Sequence, residues 1–152
     1  MSYQDLVKKN LLKKENVNFD QIKKVLERAH KNLKSAKLLL ENNDEEGAFK
    51  FAYEAMLLSG RALIFSYGLR PRTIGSHKTV VDFTKEIFGK EYGILTNKFD
   101  KIRKRRHDLT YGVEFTTSST ESVNAIESAH ELINKIEKHI QEKNPQKKLF
   151  VN

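Results

Sequence analysis

The side chains best suited to chemistry lie in one short stretch around position 106. It contains cations, an imidazole, a carboxylate and a phenol, namely Arg103, Lys104, Arg106, His107, Asp108 and Tyr111. Just before it, apolar residues at positions 92, 95, 99 and 102 recur at steps of three and four, which is the stripe of an amphipathic helix. The next position of that stripe is Arg106. Because an unpaired buried charge is very costly, we expect this guanidinium to face an anionic group.

These residue types suit two kinds of chemistry. In metal-free cleavage of RNA, the ribose 2′-hydroxyl attacks the phosphate, and the protein supplies cations and a proton acceptor or donor. Arg106 and Arg103 would provide the charge, and His107 would act as the base or the acid. Alternatively, the same end of the helix binds a phosphate, or an acidic face of a partner protein, without catalysing a reaction.

A third interpretation of the same stretch is purely structural. Arg106 could pair with a core glutamate such as Glu54 in a basic helical scaffold. Lys104 and Arg105 lie off the apolar stripe, which is typical of a solvated helix face. Lys104 is nevertheless kept, together with Arg103, as a candidate phosphate contact.

The composition excludes several classes of site. The chain contains no cysteine, which rules out disulfides, zinc–thiolate sites and thiol catalysis. Its five histidines form no His-Glu-x-x-His cluster, and there is no glycine-rich phosphate loop. We therefore expect neither a metal nor a cofactor.

Charge and the N-terminal sequence bear on partners and location. The formal net charge of +8 over 152 residues permits attraction to nucleic acid or to an acidic partner. The N-terminus leads into lysines instead of an apolar run, and no segment has the length and hydrophobicity of a membrane span. We expect a single-domain cytoplasmic protein that makes no contact with a membrane.

The elements that must position these residues are all predicted to be helices. Only two prolines and seven glycines occur, and Leu, Lys, Glu and Ile are abundant, which favours an all-α chain. Periodicity predicts helices over residues 4–14, 19–42, 45–67, 76–88 and 92–111, and a last helix from the Ser118–Glu121 capping box to about residue 143. Their short connections predict an antiparallel four- to five-helix up-and-down bundle.

The same pattern divides the chain into three parts. Residues 1–17 are expected to form an N-terminal helical arm outside the core, 18–143 the bundle, and 144–152 a frayed tail. Residues 69–75 and 112–119 are expected to be loops, including the strand-like run at 113–115.

Two helices contain polar residues at unusual positions. The 45–67 helix is apolar nearly all round, which predicts a central place in the bundle, with Tyr53 and Arg61 as its polar exceptions. His77 falls in the first turn of the 76–88 helix, where the helix dipole disfavours a protonated imidazole. A lone histidine at such a position is more often structural than catalytic.

Three stretches, in this order and spacing, resemble the HEPN superfamily, the small helical domains of prokaryotic toxin–antitoxin and nucleotidyltransferase-associated systems. They are the alanine- and tyrosine-rich residues 48–56, the loop and His-Lys turn at 68–78, and residues 106–112. The resemblance spans about residues 19–142. It implies a four- or five-helix bundle that forms a homodimer with both signature arginines in one cleft. It also implies metal-independent ribonuclease activity in some members and a nucleotidyltransferase partner in many.

Carried over by position, Arg106 is the signature arginine of the family's Arg-x4-(His or Tyr) motif, and Tyr111 stands where nuclease-type members have histidine. His107 and Asp108 would assist, and His77 and Lys78 match the His-Lys turn and are candidate phosphate contacts. A phenol is a poorer proton shuttle at neutral pH than an imidazole. Arg103 and His107, four residues apart on one helix face, could substitute for the signature pair.

We therefore hypothesise a homodimeric, RNA-directed HEPN protein of a toxin–antitoxin or nucleotidyltransferase-linked system. Arg106 would contact phosphate, and Tyr111 would orient or close the site. The catalytic form of this hypothesis is a metal-independent endoribonuclease. The alternative is a non-catalytic binding or regulatory partner of a small nucleotidyltransferase, because this chain lacks the Gly-Ser and paired-Asp pattern of the transferase itself. In that case Tyr111 could be structural, or its hydroxyl could accept a nucleotidyl group.

Overall fold

Helices make up most of the structure. A computed structural model describes residues 2–73, 76–113 and 116–149. Within them lie six α-helices, two short strands and one turn of 3₁₀-helix at Lys90–Tyr92. In chain order these are α1 Tyr3–Lys8, β1 Leu12–Lys14, α2 Phe19–Glu41, α3 Glu45–Phe65, β2 Leu69–Pro71, α4 Ser76–Phe88, α5 Gly93–Tyr111 and α6 Ser119–Lys143. The predicted all-α bundle is confirmed.

Helix α3 is the centre of the bundle, as its apolar circumference predicts. It packs against α2, α6, α4 and α5, and thirteen of its residues are buried. A helix that is buried on all sides must satisfy every polar side chain it carries within the protein. No helix in the described ranges is both long and apolar enough to cross a membrane.

Side-chain caps fix where the long helices begin. The Asn18 side chain accepts a hydrogen bond from the Gln21 amide at 2.8 Å, and the Gln21 side-chain oxygen accepts one from the Asn18 amide at 3.0 Å, which completes a capping box for α2. Asp44 caps α3 by accepting from the Gly47 amide. Ser118 caps α6 by accepting from the Glu121 amide at 3.0 Å, but the Glu121 carboxylate bonds to another helix instead of returning to the cap.

The helix predicted over residues 4–14 is wrong beyond Lys8. Asn10 adopts a positive φ of 61°, which an asparagine tolerates and which ends the helix. The chain then forms β1, which pairs antiparallel with β2 in the register Leu12 to Pro71 and Lys14 to Leu69. The expected loop at 69–75 therefore starts with a strand.

This N-terminal segment is also part of the core, contrary to the expectation of an external arm. Leu6 and Leu12 are 1% and 2% exposed. Burial of these apolar side chains against the bundle offsets part of the entropy cost of ordering the segment. At the other end, Leu149 is 2% exposed, and its amide donates to the Gln141 side chain at 3.0 Å, so the described part of the tail is packed rather than frayed. Of the run at 113–115, residues 114 and 115 lie outside the described residues, and residue 113 is not in a strand.

Helices α3 and α4 approach each other closely at Gly60. A methyl group built at this position would overlap the Val80 side chain and would also lie 3.4 Å from the Thr84 hydroxyl. The absence of a side chain at Gly60 therefore sets the distance between the two helices. The same packing places the start of α4 beside Tyr53 of α3.

We expect Gly60→Ala to lower the free energy of unfolding by about 1–3 kcal/mol, because the new methyl group must push α4 away from α3. Urea unfolding of the purified protein measures this change. Gly93→Ala is the matched control, since Gly93 has a helical φ of −59° and nothing lies within 4 Å of the added atom. That variant should keep or slightly raise stability. Equal stability of Gly60→Ala and the wild type would contradict the close approach.

Candidate functional site

The C-terminal half of α5 places the signature arginine beside a cavity. Leu95, Phe99 and Leu109 of the predicted stripe are buried. Arg106, which belongs to the same stripe, is partly buried and lines a cavity of about 430 Å³. The complete lining consists of His77, Arg103, Arg106, His107 and Tyr111. The structure thus brings together five of the residues that the sequence indicates, one from α4 and four from α5.

The charge of Arg106 is not neutralised within the described part of the chain. Its guanidinium makes no ion pair or side-chain hydrogen bond with any described residue, Glu54 included. The structural alternative of an Arg106–Glu54 pair is therefore wrong. An arginine beside a cavity, with five N–H donors and no acceptor, is suited to bind an oxyanion.

Arg103 is in a different electrostatic situation. Its Nε and Nη2 atoms donate to Asp100 Oδ1 at 3.0 and 2.9 Å. Burial alone would raise the pKa of Asp100, but hydrogen bonds from Arg103 and Lys104 outweigh that effect and hold the pKa below its ordinary value. Asp100 is thus an anion that fixes Arg103 at the cavity and offsets part of its charge.

A hydrogen bond from Tyr53, a residue of the core, positions His77. The Tyr53 hydroxyl lies 2.9 Å from His77 Nδ1, and Tyr53 is 0% exposed. Burial raises the pKa of Tyr53 far above its ordinary value, against the opposing effect of the Arg103 and Arg106 charges. The phenol therefore keeps its proton, and because His77 Nδ1 is the acceptor that this buried hydroxyl meets among the described residues, the hydroxyl donates a hydrogen bond to Nδ1. The neutral ring must then carry its own proton on Nε2, which makes Nε2–H the remaining hydrogen-bond donor of His77.

Electrostatics favours the same neutral form of His77. Burial lowers the pKa of His77 below its ordinary value of 6.5, and the positive charges of Arg61, Arg106 and Arg103 add to this effect. The folded-state pKa is below the unfolded value, so protonation favours the unfolded chain. The stability that His77 contributes is present above about pH 6.5 and is lost as the pH falls through the folded-state value.

His107 and Tyr111 form the exposed rim of the cavity. Their ring centroids are 4.7 Å apart with the planes tilted by 49°, and Tyr111 is 72% exposed. Helix α5 ends here, where the Gly112 amide donates to the Asp108 carbonyl oxygen at 2.7 Å. An imidazole and a phenol are therefore accessible to a ligand that reaches Arg106 from solvent.

Three of the residues that the sequence indicates do not line the cavity. Lys78 donates to Asp82 at 2.8 Å, and Lys104 lies 3.3 Å from Asp100. Asp108 is exposed, and only its backbone is used in the helix end. These three side chains lie outside the lining of the cavity, and their roles stay predictions.

Arg105 is a structural anchor, although its position off the apolar stripe predicts a solvated face. Its Nε donates to Glu121 Oε2 at 2.7 Å, and its Nη2 donates to the Thr116 carbonyl oxygen at 2.6 Å. These bonds tie the end of α5 to the start of α6 and to the segment between them. They also explain why the Glu121 side chain does not complete the predicted capping box.

Tyr53 and Arg61 stand out in the sequence, but the sequence alone assigns them no role. The structure shows that Tyr53 holds His77 and that the Arg61 charge acts on both of these side chains. The available signal was their polarity on an otherwise apolar helix, eight residues apart and hence on one side of it. In the described ranges, no group of three or more His, Asp or Glu side chains could hold a metal ion.

We expect Tyr53→Phe to raise the pKa of His77, because Nδ1 loses the donor that favours the neutral ring. An NMR titration of the histidine Cε1–H resonances measures this. Tyr67→Phe is the matched control, since the Tyr67 hydroxyl lies 2.9 Å from His139 Nε2 at a distant position. It should shift the titration of His139 and leave that of His77 unchanged. A His77 titration that Tyr53→Phe does not alter would rule out the hydrogen bond as its determinant.

Comparison with known proteins assigns the family. A protein of Methanocaldococcus jannaschii described as "Putative toxin MJ0605" is 27% identical over 126 residues, which cover 81% of this chain and 91% of that relative. The family model of the HEPN domain matches residues 22–139. That range runs from α2 into α6 and includes every residue that lines the cavity. The chain therefore belongs to the HEPN domain family.

Proposed function

We propose that this protein is a toxin-type HEPN endoribonuclease that cleaves RNA without a metal ion at the Arg106 cavity. The observation that carries the proposal is the Arg106 guanidinium, which lines a cavity with two imidazoles and has no acidic partner among the described residues. The family assignment and the similarity to a protein named as a toxin support the same conclusion. A phosphate of RNA supplies the counter-charge that suits this guanidinium.

Each side chain has a defined part in the proposed reaction. The ribose 2′-oxygen attacks the adjacent phosphorus, the bond from phosphorus to the 5′-oxygen breaks, and the products are a 2′,3′-cyclic phosphate and a 5′-hydroxyl. Arg106 and the Nε2–H of His77 donate to the non-bridging oxygens, where negative charge develops. His107, at the exposed rim, takes the 2′-hydroxyl proton or protonates the leaving 5′-oxygen.

This chemistry has two proton transfers, which favours a homodimer. In one chain only His107 is an accessible imidazole at the rim, whereas a second copy would bring a second His107 to the same cleft. Tyr111 ends α5 and lines the cavity, Val113 follows two residues later, and the two side chains are 72% and 92% exposed. Exposed apolar side chains next to a functional cavity are suited to bury surface against another subunit.

A second candidate function is favoured by Tyr111 itself. Its phenol is exposed at the rim, in the position where nuclease-type members have histidine. It would serve a non-catalytic protein that binds RNA or works with a small nucleotidyltransferase partner, with the accessible hydroxyl as a nucleotidyl acceptor. Binding of RNA that depends on Arg106, without cleavage, would support this candidate over the nuclease.

We expect Arg106→Ala to lower the rate of RNA cleavage in EDTA by about 100- to 1,000-fold, the usual effect of removing a donor to the developing charge. Gel analysis of an end-labelled RNA incubated with the purified protein measures the rate. The control is Lys101→Ala, which removes one charge from the exposed face of the same helix and leaves the cavity intact. Cleavage that persists at the wild-type rate in Arg106→Ala would exclude this site.

We expect Val113→Asp to convert the dimer into a monomer, because the new carboxylate would be desolvated in the subunit contact. Light scattering coupled to size-exclusion chromatography measures the mass. Ile94→Asp introduces the same charge at a residue that is 79% exposed at the opposite end of α5, and it should leave the dimer intact. If Val113→Asp has the same mass as the wild type, the subunit contact lies elsewhere.

A further inference from the structure

A second cavity, of about 530 Å³, lies beside the start of α4 and is rich in arginine. Arg61 of α3, Arg70 of β2 and Arg72 contribute to its lining, and Glu15 is the single carboxylate there. Val25, Phe65 and Pro71 add apolar surface. None of the residues that line this cavity is among the functional residues predicted from the sequence.

The arginines of the second cavity are poorly neutralised by the protein. Arg61 and Arg72 form no ion pair with any carboxylate of residues 2–73, 76–113 and 116–149. Arg70 is 4.0 Å from Glu15, and both side chains are 41% exposed, so this pair contributes little. Furthermore, the register of the two strands puts Lys13 directly opposite Arg70, and like charges in that position destabilise a strand pair.

The two cavities are neighbours across the first turn of α4. Ser76 lines the second cavity, and the next residue, His77, lines the first. Arg61 connects them electrostatically, because it lines the second cavity and its charge acts on His77 in the first. A ligand with regularly spaced negative charges could therefore occupy both cavities at once.

We propose that the second cavity is a phosphate-binding subsite for a single RNA strand whose scissile phosphate occupies the Arg106 cavity. The inference rests on the proposed function and specifies the form of its substrate. A flexible single strand can turn its phosphates into two separate cavities, whereas the phosphates of an A-form duplex are held on a regular outer surface. Phe65 provides an apolar contact for a sugar or base, as aromatic residues do in grooves that follow a single strand.

The test measures how RNA binding depends on salt. Fluorescence anisotropy is recorded with a labelled single-stranded RNA of about twelve nucleotides. All of its 2′-hydroxyls are methylated, so that the RNA binds without being cleaved. We expect the double variant Arg70→Ala/Arg72→Ala to bind about ten-fold more weakly. The plot of log K against log salt has a negative slope. Its magnitude should decrease by about 0.7 for each phosphate that the variant no longer binds.

Two controls separate a subsite from a general reduction in charge. Lys34→Ala/Lys37→Ala removes two exposed positive charges from the far part of α2 and should leave the slope unchanged. Glu15→Gln removes the carboxylate that competes for Arg70 and should strengthen binding about two- to three-fold. If the double arginine variant does not fold, the RNA affinity of the Glu15→Gln variant tests the subsite. An affinity of Glu15→Gln equal to that of the wild type overturns the subsite.

Failure of the subsite can be told apart from failure of the proposed function. If Arg106→Ala slows RNA cleavage while the Arg70/Arg72 variant binds like the Lys34/Lys37 control, the subsite is overturned and the function stands. If the wild type does not cleave RNA, or if Arg106→Ala cleaves it at the wild-type rate, the proposed function fails and the subsite fails with it.

Discussion

A buried phenol hydroxyl must donate a hydrogen bond to an acceptor, and in this fold that requirement connects the core to the candidate site. Tyr53 of helix α3 is 0% exposed, so its hydroxyl does not reach solvent. The hydroxyl instead bonds to His77, at the start of α4. The close packing at Gly60 brings the two helices near enough for this bond. The position, tautomer and neutral state of a cavity-lining imidazole thus follow from the packing of the core.

Three of the consecutive basic residues of α5, Lys104, Arg105 and Arg106, show how helix geometry divides similar side chains among different roles. Successive residues point about 100° apart around a helix. Arg105 consequently reaches Glu121 of α6 and fixes the end of the bundle, while Lys104 pairs with Asp100 one turn earlier on the same helix. Arg106 points about 100° further around the helix than Arg105, toward the cavity, and meets no described carboxylate. A site that must bind an external anion needs such a cation, because an internal carboxylate would compete with the ligand.

The parts of the fold that can be predicted from sequence are those with a periodic or local signal. The α5 stripe places Arg106 at the cavity, and Ser118 is recognisable as the cap of α6 because it acts within one helical turn. The β1–β2 pair escapes prediction since strands of three residues have no detectable period. The Tyr53–His77 bond escapes it because it joins residues 24 apart on different helices, and only the packing of α3 on α4 brings them together. The role of Arg105 is hidden for the same reason, as its partners lie on α6 and in the preceding segment.

The positions of the charged side chains indicate function more clearly than the net charge does. Much of the +8 is spread over exposed lysines, which give a long-range attraction for polyanions that salt screens. Several other cations are neutralised within the chain, such as Lys78 by Asp82 and Lys50 by Glu46. By contrast, Arg61, Arg72 and Arg106, which have no acidic partner in the described residues, all line cavities on either side of the first turn of α4. Arg61 and Arg106 are partly buried and lose hydration that surface lysines keep, so they gain more when a ligand supplies a counter-charge. In the proposed function, the whole surface attracts the RNA, and these few arginines set where its phosphates bind.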